Sequence, residues 1–222
     1  MPEPLRVGVL VSGTGSNLQA IIDGCRGGAV PAQVVVVVSN VPDAFALERA
    51  RSCGIPAVVV DHRAFASASG FEAALREAVE SHGVELLCLA GFLRILSPRF
   101  VAAYAGRIMN IHPALLPAFG GKGMYGERVH RAVLASGART SGATVHFVTD
   151  VPDGGPIIAQ AAVPVEEGDT PATLAARVAR AEHRLYPYAI RLFAQGRLRI
   201  DGDRIMVSPQ RSPLASNADR VP

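Results

Sequence analysis

The sequence lacks several features that would place it in common classes of protein. No apolar stretch reaches the roughly 20 residues that a membrane-spanning helix needs, so no membrane segment is expected. The N-terminus has no basic stretch followed by an apolar segment and a cleavage site, which predicts no export signal. Aromatic residues make up only 5% of the chain, Lys122 is its only lysine, and no basic block stands out. These absences disfavour nucleic-acid binding, although the net charge is +3.

Cysteine is also scarce, and its distribution excludes a disulfide framework. Cys25, Cys53 and Cys88 are odd in number, far apart and each in an apolar context. This pattern indicates packing residues in a reducing compartment, so we expect a cytoplasmic protein. The histidines show no zinc-type spacing, and no metal site is expected.

The remaining composition indicates a folded domain followed by a polar tail. Hydrophobic residues make up 49% of the 222 residues and charged residues 18%, which is enough apolar material for a sizeable core. The length suits a single domain, which we place at residues 1–207. From residue 208 onward the sequence is polar, and we expect a poorly ordered tail over 208–222.

Strand-like and helix-like segments alternate through the first half. The runs LRVGVLV and AQVVVVVS are apolar throughout, as in strands that are covered on both faces. The spacing of Leu18 and Ile21 predicts a helix that stops at Gly27, Asp43 is predicted to open the next helix, and a third is predicted over 70–82. Such alternation favours right-handed crossovers and a doubly wound, mostly parallel α/β sheet with helices on both faces.

The second half departs from this alternation. The segments ATVHFVTD and GPIIAQAAVPV read as long strands joined by a Pro/Gly turn, which predicts an antiparallel portion of the sheet. A long helix is expected next, and Pro187 should kink or divide it. The segment RLRIDGDRIMV predicts a small hairpin on an Asp-Gly turn.

A glycine-containing segment, VSGTGSN, joins the first predicted strand to the first helix. Gly13 and Gly15 allow close approach of a ligand, and the N–H groups of Gly15, Ser16 and Asn17 would face an anion at the helix N-terminus. Leu18 stands where a dinucleotide fingerprint needs a third glycine, which favours a mononucleotide-sized phosphate over a nicotinamide cofactor. A plain tight turn in which Ser16 caps the helix stays open as the alternative.

The segment RIMNIHPALLPAF places two polar side chains at the end of an apolar strand. Asn110 and His112 are two residues apart, so they share one face of an extended chain, and Pro113 ends the strand beside them. Ligands of parallel sheets bind outside the carboxyl ends of the strands, where the glycine-containing segment is expected as well. Both side chains are therefore candidates for one site, and a satisfied core histidine is the alternative reading of His112.

An amide and an imidazole suit the transfer of an acyl group to an amine. Asn110 can donate to the oxygen on which charge develops, and His112 can move protons. Asp150 and Asp153, in TDVPDGGP, are candidates for the carboxylate that holds the histidine, although aspartate in such a turn is commonly a turn former. No Ser or Cys stands in a nucleophile context, which favours direct transfer over a covalent intermediate.

A second glycine-rich segment, GGKGMYG at 120–126, does not match a P-loop. Leu116 stands where the first glycine of that motif should be, and Gly123 stands where Ser or Thr is required. Its position directly after the Asn110–His112 segment predicts a mobile loop that could act as a lid.

Several long motifs together resemble the phosphoribosylglycinamide formyltransferases, a family of folate-dependent formyltransferases. They are VLVSGTGSNLQAII, SNVPDAFALERA, LAGFLRILSP, NIHPALLPAF, VHFVTDVPDGGPIIAQ and EHRLYP. The resemblance implies a Rossmann-like fold with the phosphate side in the N-terminal half and the folate side in the C-terminal half. It implies an enzyme of purine synthesis that moves a formyl group from 10-formyltetrahydrofolate to the amine of glycinamide ribonucleotide through a tetrahedral intermediate.

The resemblance also implies a role for each residue of the catalytic set. Asn110 would hold the formyl oxygen and His112 would act as general acid. Asp153 would keep His112 protonated and oriented.

The two binding sides follow from the same resemblance. The substrate would be bound by Gly15, Ser16, Asn17 and Glu182, the last at its ribose or amine end. The folate would be bound by Asn110 and by two further segments, Leu93, Arg94, Ile95 and Leu96, and Thr149, Asp150, Val151, Pro152 and Asp153.

Two features depart from the family pattern. Ala68 stands where an arginine often meets the folate, and the 120–126 loop is longer and richer in glycine than in some members. The first departure predicts that the glutamate tail of the folate binds more loosely or through another arginine.

Other functions remain as alternatives. Formyltetrahydrofolate hydrolases carry an additional N-terminal domain and transfer-RNA formyltransferases an additional C-terminal one, and we expect neither here. A noncatalytic phosphoribosyl-binding module is a second alternative. The expected partners are small molecules rather than nucleic acid or membrane, and a homodimer stays open beside a monomer.

Overall fold

The computed structural model describes residues 3–209 and contains a seven-stranded sheet with helices on both faces. Of the predicted tail, residues 210–222 lie outside the described residues. The strands of the sheet are β1 (Leu5–Val11), β2 (Ala32–Ser39), β3 (Ala57–Val59), β4 (Leu86–Leu89), β5 (Ile108–His112), β6 (Thr140–Phe147) and β7 (Ile157–Pro164). The helices are α1 (Ser16–Arg26), α2 (Phe45–Ser52), α3 (Ala68–Glu80), α4 (Pro98–Ala103), α5 (Glu127–Ala135) and α6 (Pro171–Ala194). A separate hairpin consists of β8 (Leu198–Asp201) and β9 (Arg204–Val207).

The strand order across the sheet is β3-β2-β1-β4-β5-β6-β7. The pairs from β3 to β5 are parallel, whereas β5–β6 and β6–β7 are antiparallel. This confirms the predicted doubly wound, mostly parallel sheet with an antiparallel portion in the second half. The chain reverses its direction of winding between β1 and β4, and a crevice at the carboxyl ends of strands is expected at such a point.

The core consists of two apolar layers, one on each face of the sheet. One layer packs α1, α5 and α6 against the strands, with fully buried residues such as Leu18, Val129 and Leu174. The other packs α3 and α4, with Phe71, Leu75 and Phe100 buried. Since helices cover both faces, the central strands are apolar at consecutive positions, as their sequence predicts.

Two predicted elements differ in detail. The second helix begins at Phe45 and not at Asp43, because residues 41–44 form a turn in which the Ala44 N–H donates to the Val41 carbonyl. The long helix α6 contains Pro187 without being divided there, so that part of the prediction was wrong. Packing offsets the hydrogen bond that proline cannot make: the neighbouring Tyr186 is fully buried, and its hydroxyl bonds to carbonyls of β4 and β5.

The remaining predictions for the helices and the hairpin are confirmed. α1 ends where Gly27 caps it, and α3 covers most of the predicted 70–82 segment. β8 and β9 pair antiparallel, with Asp201 opposite Arg204 across the turn. Within residues 3–209, no helix combines the length and apolarity needed to cross a membrane.

Candidate active site

The loop between β1 and α1 requires glycine at one position. Gly15 has φ +73°, and a Cβ there would lie 2.6 Å from the Cβ of Ala46. Gly15 also precedes the first residue of α1, and no side chain caps that helix end. Ser16 is therefore the first helical residue and not the cap, contrary to the alternative considered above. The first N–H groups of α1 have no intrahelical acceptor and stay available to an anion at the positive end of the helix dipole.

A side-chain pair joins α1 to α6 beside this loop. Nδ2 of Asn17 donates to Oε2 of Glu182 at 2.9 Å, and Glu182 is 9% exposed. Burial raises the pKa of Glu182, and the hydrogen bond from Asn17 offsets only part of that effect. Among the described residues Oδ1 of Asn17 is buried without a hydrogen-bond partner. The pair thus offers a substrate one carboxyl group and one free amide oxygen.

The carboxyl end of β5 carries the predicted amide and imidazole. Asn110 is half-buried and His112 is buried. Asn110 lies opposite Leu89 of β4, which in turn lies opposite Leu10 of β1. Two strand spacings, about 10 Å, therefore separate the end of β5 from the end of β1 and its anion-binding loop. One small phosphorylated molecule can reach both.

Of the two candidate aspartates, the structure brings Asp153 to His112. Oδ2 of Asp153 lies 3.5 Å from Nδ1 of His112 and accepts a hydrogen bond from the Gly121 N–H at 2.9 Å. Asp153 has φ +56°, a left-handed conformation that aspartate tolerates better than most residues and that is typical of functional sites. Asp150 is exposed and makes no hydrogen bond or ion pair within residues 3–209.

Burial and charge act in opposite directions on this pair. Burial lowers the pKa of His112, and the nearby Asp153 carboxylate raises it without fully offsetting the burial. Burial raises the pKa of Asp153, but His146, His112 and the Gly121 N–H together outweigh it, and the pKa is lowered overall. Asp153 is therefore an anion at neutral pH and His112 is mainly neutral. The expectation that Asp153 keeps His112 protonated stays a prediction for the complex with substrate.

The other ring nitrogen of His112 is held by the chain that follows β5. Nε2 lies 2.8 Å from the Phe119 carbonyl oxygen, which can only accept, so Nε2 carries a hydrogen. Phe119 itself has φ +56°. Since Gly121 binds Asp153, the 120–126 loop starts at the candidate site, and a glycine-rich loop in this place can cover bound substrate.

Sequence reasoning missed one residue of the site, His146. It lies directly opposite Asn110 in the β5–β6 pair and is 2% exposed. Its Nε2 lies 3.2 Å from Nδ2 of Asn110 and 3.6 Å from Oδ1 of Asp153. The alternation of residues along ATVHF predicts that the His146 side chain points into the protein. Only the register between β5 and β6 shows that it faces Asn110.

Two exposed segments follow β4 and β6, the strands on either side of β5. The segment after β4 is fastened to β1, because the Leu93 N–H donates to Oγ of Ser12 at 2.8 Å. Leu93 and Ile95 are strongly exposed there, whereas the Leu96 side chain lies in the core and could line a pocket only through its backbone. On the opposite side, the segment after β6 exposes Val151. Exposed apolar side chains on both sides suit a flat aromatic ligand.

Within residues 3–209 no group of three or more His, Cys, Asp or Glu side chains is arranged to hold a metal ion. An anion-binding helix end, a buried carboxyl group and an amide–imidazole–carboxylate cluster lie instead along one edge of a doubly wound sheet. Groups of these kinds suit the transfer of an acyl group to a phosphorylated acceptor.

The chain belongs to the formyl transferase family, whose model matches residues 5–190. It is 45% identical over 209 residues to phosphoribosylglycinamide formyltransferase from Escherichia coli, covering 94% of this chain and 96% of that one. The crystal structure of glycinamide ribonucleotide transformylase 1 from Symbiobacterium toebii is similar, with a TM-score of 0.90, 50% identity, and 94% and 96% of the two chains covered.

A longer relative matches over one part of its length. The trifunctional purine biosynthetic protein adenosine-3 from Bos taurus is 45% identical over 199 residues, which is 90% of this chain. The chain spans 19% of the length of that protein. It corresponds to one portion of the larger polypeptide.

Proposed function

We propose that this protein is a phosphoribosylglycinamide formyltransferase that moves a formyl group from 10-formyltetrahydrofolate to the amine of glycinamide ribonucleotide in de novo purine synthesis. The observation that carries the proposal is the convergence of Asn110, His112 and Asp153 at the end of β5, two strands from the Gly15 loop. The similarity to the Escherichia coli enzyme over nearly the full length of both chains supports it.

The substrate is placed along the crevice by its charged and polar ends. The N–H groups of Gly15, Ser16 and Asn17 bind the phosphate at the α1 N-terminus, where the helix dipole favours an anion. Glu182 accepts hydrogen bonds from the ribose or the amine end, since Asn17 occupies only one of its oxygens. With the phosphate and the ribose bound in this way, the amine of the substrate extends toward the end of β5.

In the reaction the amine nitrogen attacks the formyl carbon, and a new carbon–nitrogen bond forms. Charge develops on the formyl oxygen, and Asn110 donates a hydrogen bond to it; one such donor is worth roughly 3–4 kcal/mol. The bond between the formyl carbon and N10 of the folate then breaks. The amine has lost one proton and N10 has gained one.

His112 carries out this proton movement. It lies within reach of the same centre, and Asp153 stabilises the imidazolium form. Because burial lowers the pKa of His112 in the free protein, the ring is mainly neutral there and can accept the proton that the amine releases; the imidazolium then passes it to N10 as a general acid. The protonated state therefore arises during the reaction and does not have to exist beforehand.

The folate is bound between the two flanking segments. Leu93, Arg94 and Ile95 with the backbone of Leu96 form one wall. The other wall consists of Thr149, Asp150, Val151, Pro152 and Asp153, with Asn110 at the base.

We place the enzyme in the cytoplasm with small molecules as its partners. All three cysteines are free thiols, as expected in a reducing compartment. A single catalytic domain covers residues 1–207 in this proposal, and a homodimer is compatible with it.

The test is a formyl-transfer assay on the purified chain, in which the formation of tetrahydrofolate is followed with and without glycinamide ribonucleotide. Product should form only when the acceptor is present. The His112→Ala variant should lose turnover by about 10²–10⁴-fold, the range expected for a general acid–base residue. His82→Ala serves as the control and should keep full turnover, because His82 precedes the amino end of β4, at the edge of the sheet opposite the carboxyl end of β5.

Two outcomes would contradict the proposal in different ways. Release of formate at the same rate without acceptor would indicate a hydrolase. Binding of glycinamide ribonucleotide with no product formed would indicate a noncatalytic phosphoribosyl-binding module.

A further inference from the structure

The contacts of His146 determine which of its nitrogens carries hydrogen. Nδ1 lies 2.8 Å from the carbonyl oxygen of Phe147. A carbonyl oxygen accepts hydrogen bonds and cannot donate them, so Nδ1 must be the protonated nitrogen. In the neutral ring Nε2 then has a lone pair and acts as an acceptor.

This assignment fixes the orientation of the neighbouring amide. The group of Asn110 that faces Nε2 at 3.2 Å has to be its NH₂, because the Oδ1 oxygen would meet a second lone pair. One N–H of that group bonds to His146, and its other N–H remains free. The amide can thus donate to a developing oxyanion only while its NH₂ end is kept in place.

The competing partner of Nε2 is farther away. Oδ1 of Asp153 lies 3.6 Å from Nε2, beyond hydrogen-bond distance, whereas Nδ2 of Asn110 lies within it. The charged and titratable groups that face the ring are Asp153 and, across the same carboxylate, His112. The shorter contact therefore favours Asn110 over Asp153 as the partner of Nε2.

We propose that His146 is a positioning residue that locks the Asn110 amide with its NH₂ group directed to the reacting carbonyl oxygen. This inference rests on the proposed function, because it assigns a purpose to Asn110 in the same reaction. Without the acceptor at Nε2, the Asn110 amide can rotate by 180° about its terminal side-chain bond. Its Oδ1 would then face the developing oxyanion, and the two oxygens would repel each other.

Two substitutions of His146 distinguish the contribution of Nε2 from that of Nδ1. The terminal group of Gln reaches the place of Nε2, and the shorter Asn reaches only the place of Nδ1. His146→Gln therefore keeps an acceptor for Asn110, and His146→Asn keeps only the bond to the Phe147 carbonyl. We expect His146→Asn to lower kcat by about 10–100-fold, a part of the 10²–10³-fold effect of deleting one oxyanion donor. Both KM values should stay within about twofold, and His146→Gln should restore most of kcat.

A double-mutant cycle shows whether the effect passes through Asn110. His146→Asn in an Asn110→Ala background should cause no further loss, because no amide remains to be oriented. An additive loss, or equal losses for the Gln and Asn variants, would overturn the proposal while leaving the transferase function intact. Absence of formyl transfer by the unmodified protein would instead overturn the proposed function.

A measurement on the unmodified protein keeps the inference testable if the variants do not fold. Long-range ¹H–¹⁵N NMR spectra of the imidazole rings report which nitrogen carries hydrogen. His146 should show a protonated Nδ1 and an unprotonated Nε2 at neutral pH. Hydrogen on Nε2, in the neutral or in the charged ring, would overturn the proposal.

Discussion

Nδ2 of Asn17 lies 2.9 Å from Oε2 of Glu182, and this contact joins residues 165 positions apart in the chain. It ties the first turn of α1, where the substrate phosphate is proposed to bind, to the middle of α6. The helix α6 is also held to the sheet here, since Tyr186, one turn after Glu182, donates to the carbonyls of Leu89 and Met109. These contacts keep the carboxyl group of Glu182 buried, and this burial destabilises the folded protein when the group is ionised.

Replacing Glu182 should remove this destabilisation. Burial raises the pKa of Glu182 above its ordinary value of 4.5. Below this value both the folded and the unfolded chain are protonated and the charge has no effect; as pH rises, the unfolded chain ionises first, and the folded state loses relative stability. Glu182→Gln removes the ionisation. The free energy of unfolding of the variant, relative to that of the unmodified protein, should therefore increase from pH 4 to pH 8. Urea denaturation across this range measures the difference.

The exposed Glu167 provides the matched control, because Glu167→Gln should show no such pH-dependent gain. A constant difference for Glu182→Gln at all pH values would mean that its carboxyl group is not destabilising. The same variant should bind glycinamide ribonucleotide about tenfold more weakly, since Gln replaces a hydrogen bond to a charged group, worth about 1.5–3 kcal/mol, by a neutral one worth about 0.5–1.5 kcal/mol.

Asp153→Asn should lower the pKa of His112 further. The carboxylate favours the imidazolium, so removing its charge leaves burial with less opposition, and the ring holds its proton only at lower pH. Asparagine tolerates the left-handed conformation of this position, which keeps the backbone in place. Titration of the His112 ring by NMR should show a pKa below 6.5 in the unmodified protein and a lower one in the variant, and kcat should fall with it. Asp150→Asn should leave the titration unchanged, and an increase for Asp153→Asn would contradict the assigned pair.

Gly15→Ala should destabilise the protein and Gly13→Ala should not. Alanine at φ +73° costs about 1–2 kcal/mol, and its Cβ would collide with Ala46, whose backbone lies 2.9 Å from it. Gly13 has no heavy atom within 4 Å of such a Cβ and needs no left-handed backbone. Thermal unfolding of the two variants measures the contrast; equal melting temperatures would show that the loop can rearrange freely.

Ser16→Glu should weaken binding of glycinamide ribonucleotide and spare binding of the folate. The added carboxylate would stand at the α1 N-terminus, where it would take the place of the phosphate and repel it. Isothermal titration with each ligand separates the two effects. Unchanged affinity for the ribonucleotide would place the phosphate elsewhere, and a loss of both affinities would point to general disruption of the site.

The alternation of strands and helices could be predicted because it depends on local patterns. The apolar run of β2 reflects a strand that is covered on both faces, and the spacing of Leu18 and Ile21 reflects the buried face of one helix. A kink or a division of α6 at Pro187 was predicted from the same kind of local rule; the helix is not divided there, because packing of Tyr186 outweighs one missing hydrogen bond.

By itself the sequence determined the fold class, the glycine loop, and the presence of Asn110 and His112 on one face, since side-chain direction within a strand follows a period of two. Residue spacing left Asp150 and Asp153 as equal candidates, the family resemblance named Asp153, and the tertiary structure shows that Asp153 reaches His112. The tertiary structure alone decided that Asn17 meets Glu182 and that His146 faces Asn110. These pairs depend on strand register and on how distant elements pack, and no local spacing of residues records either of them.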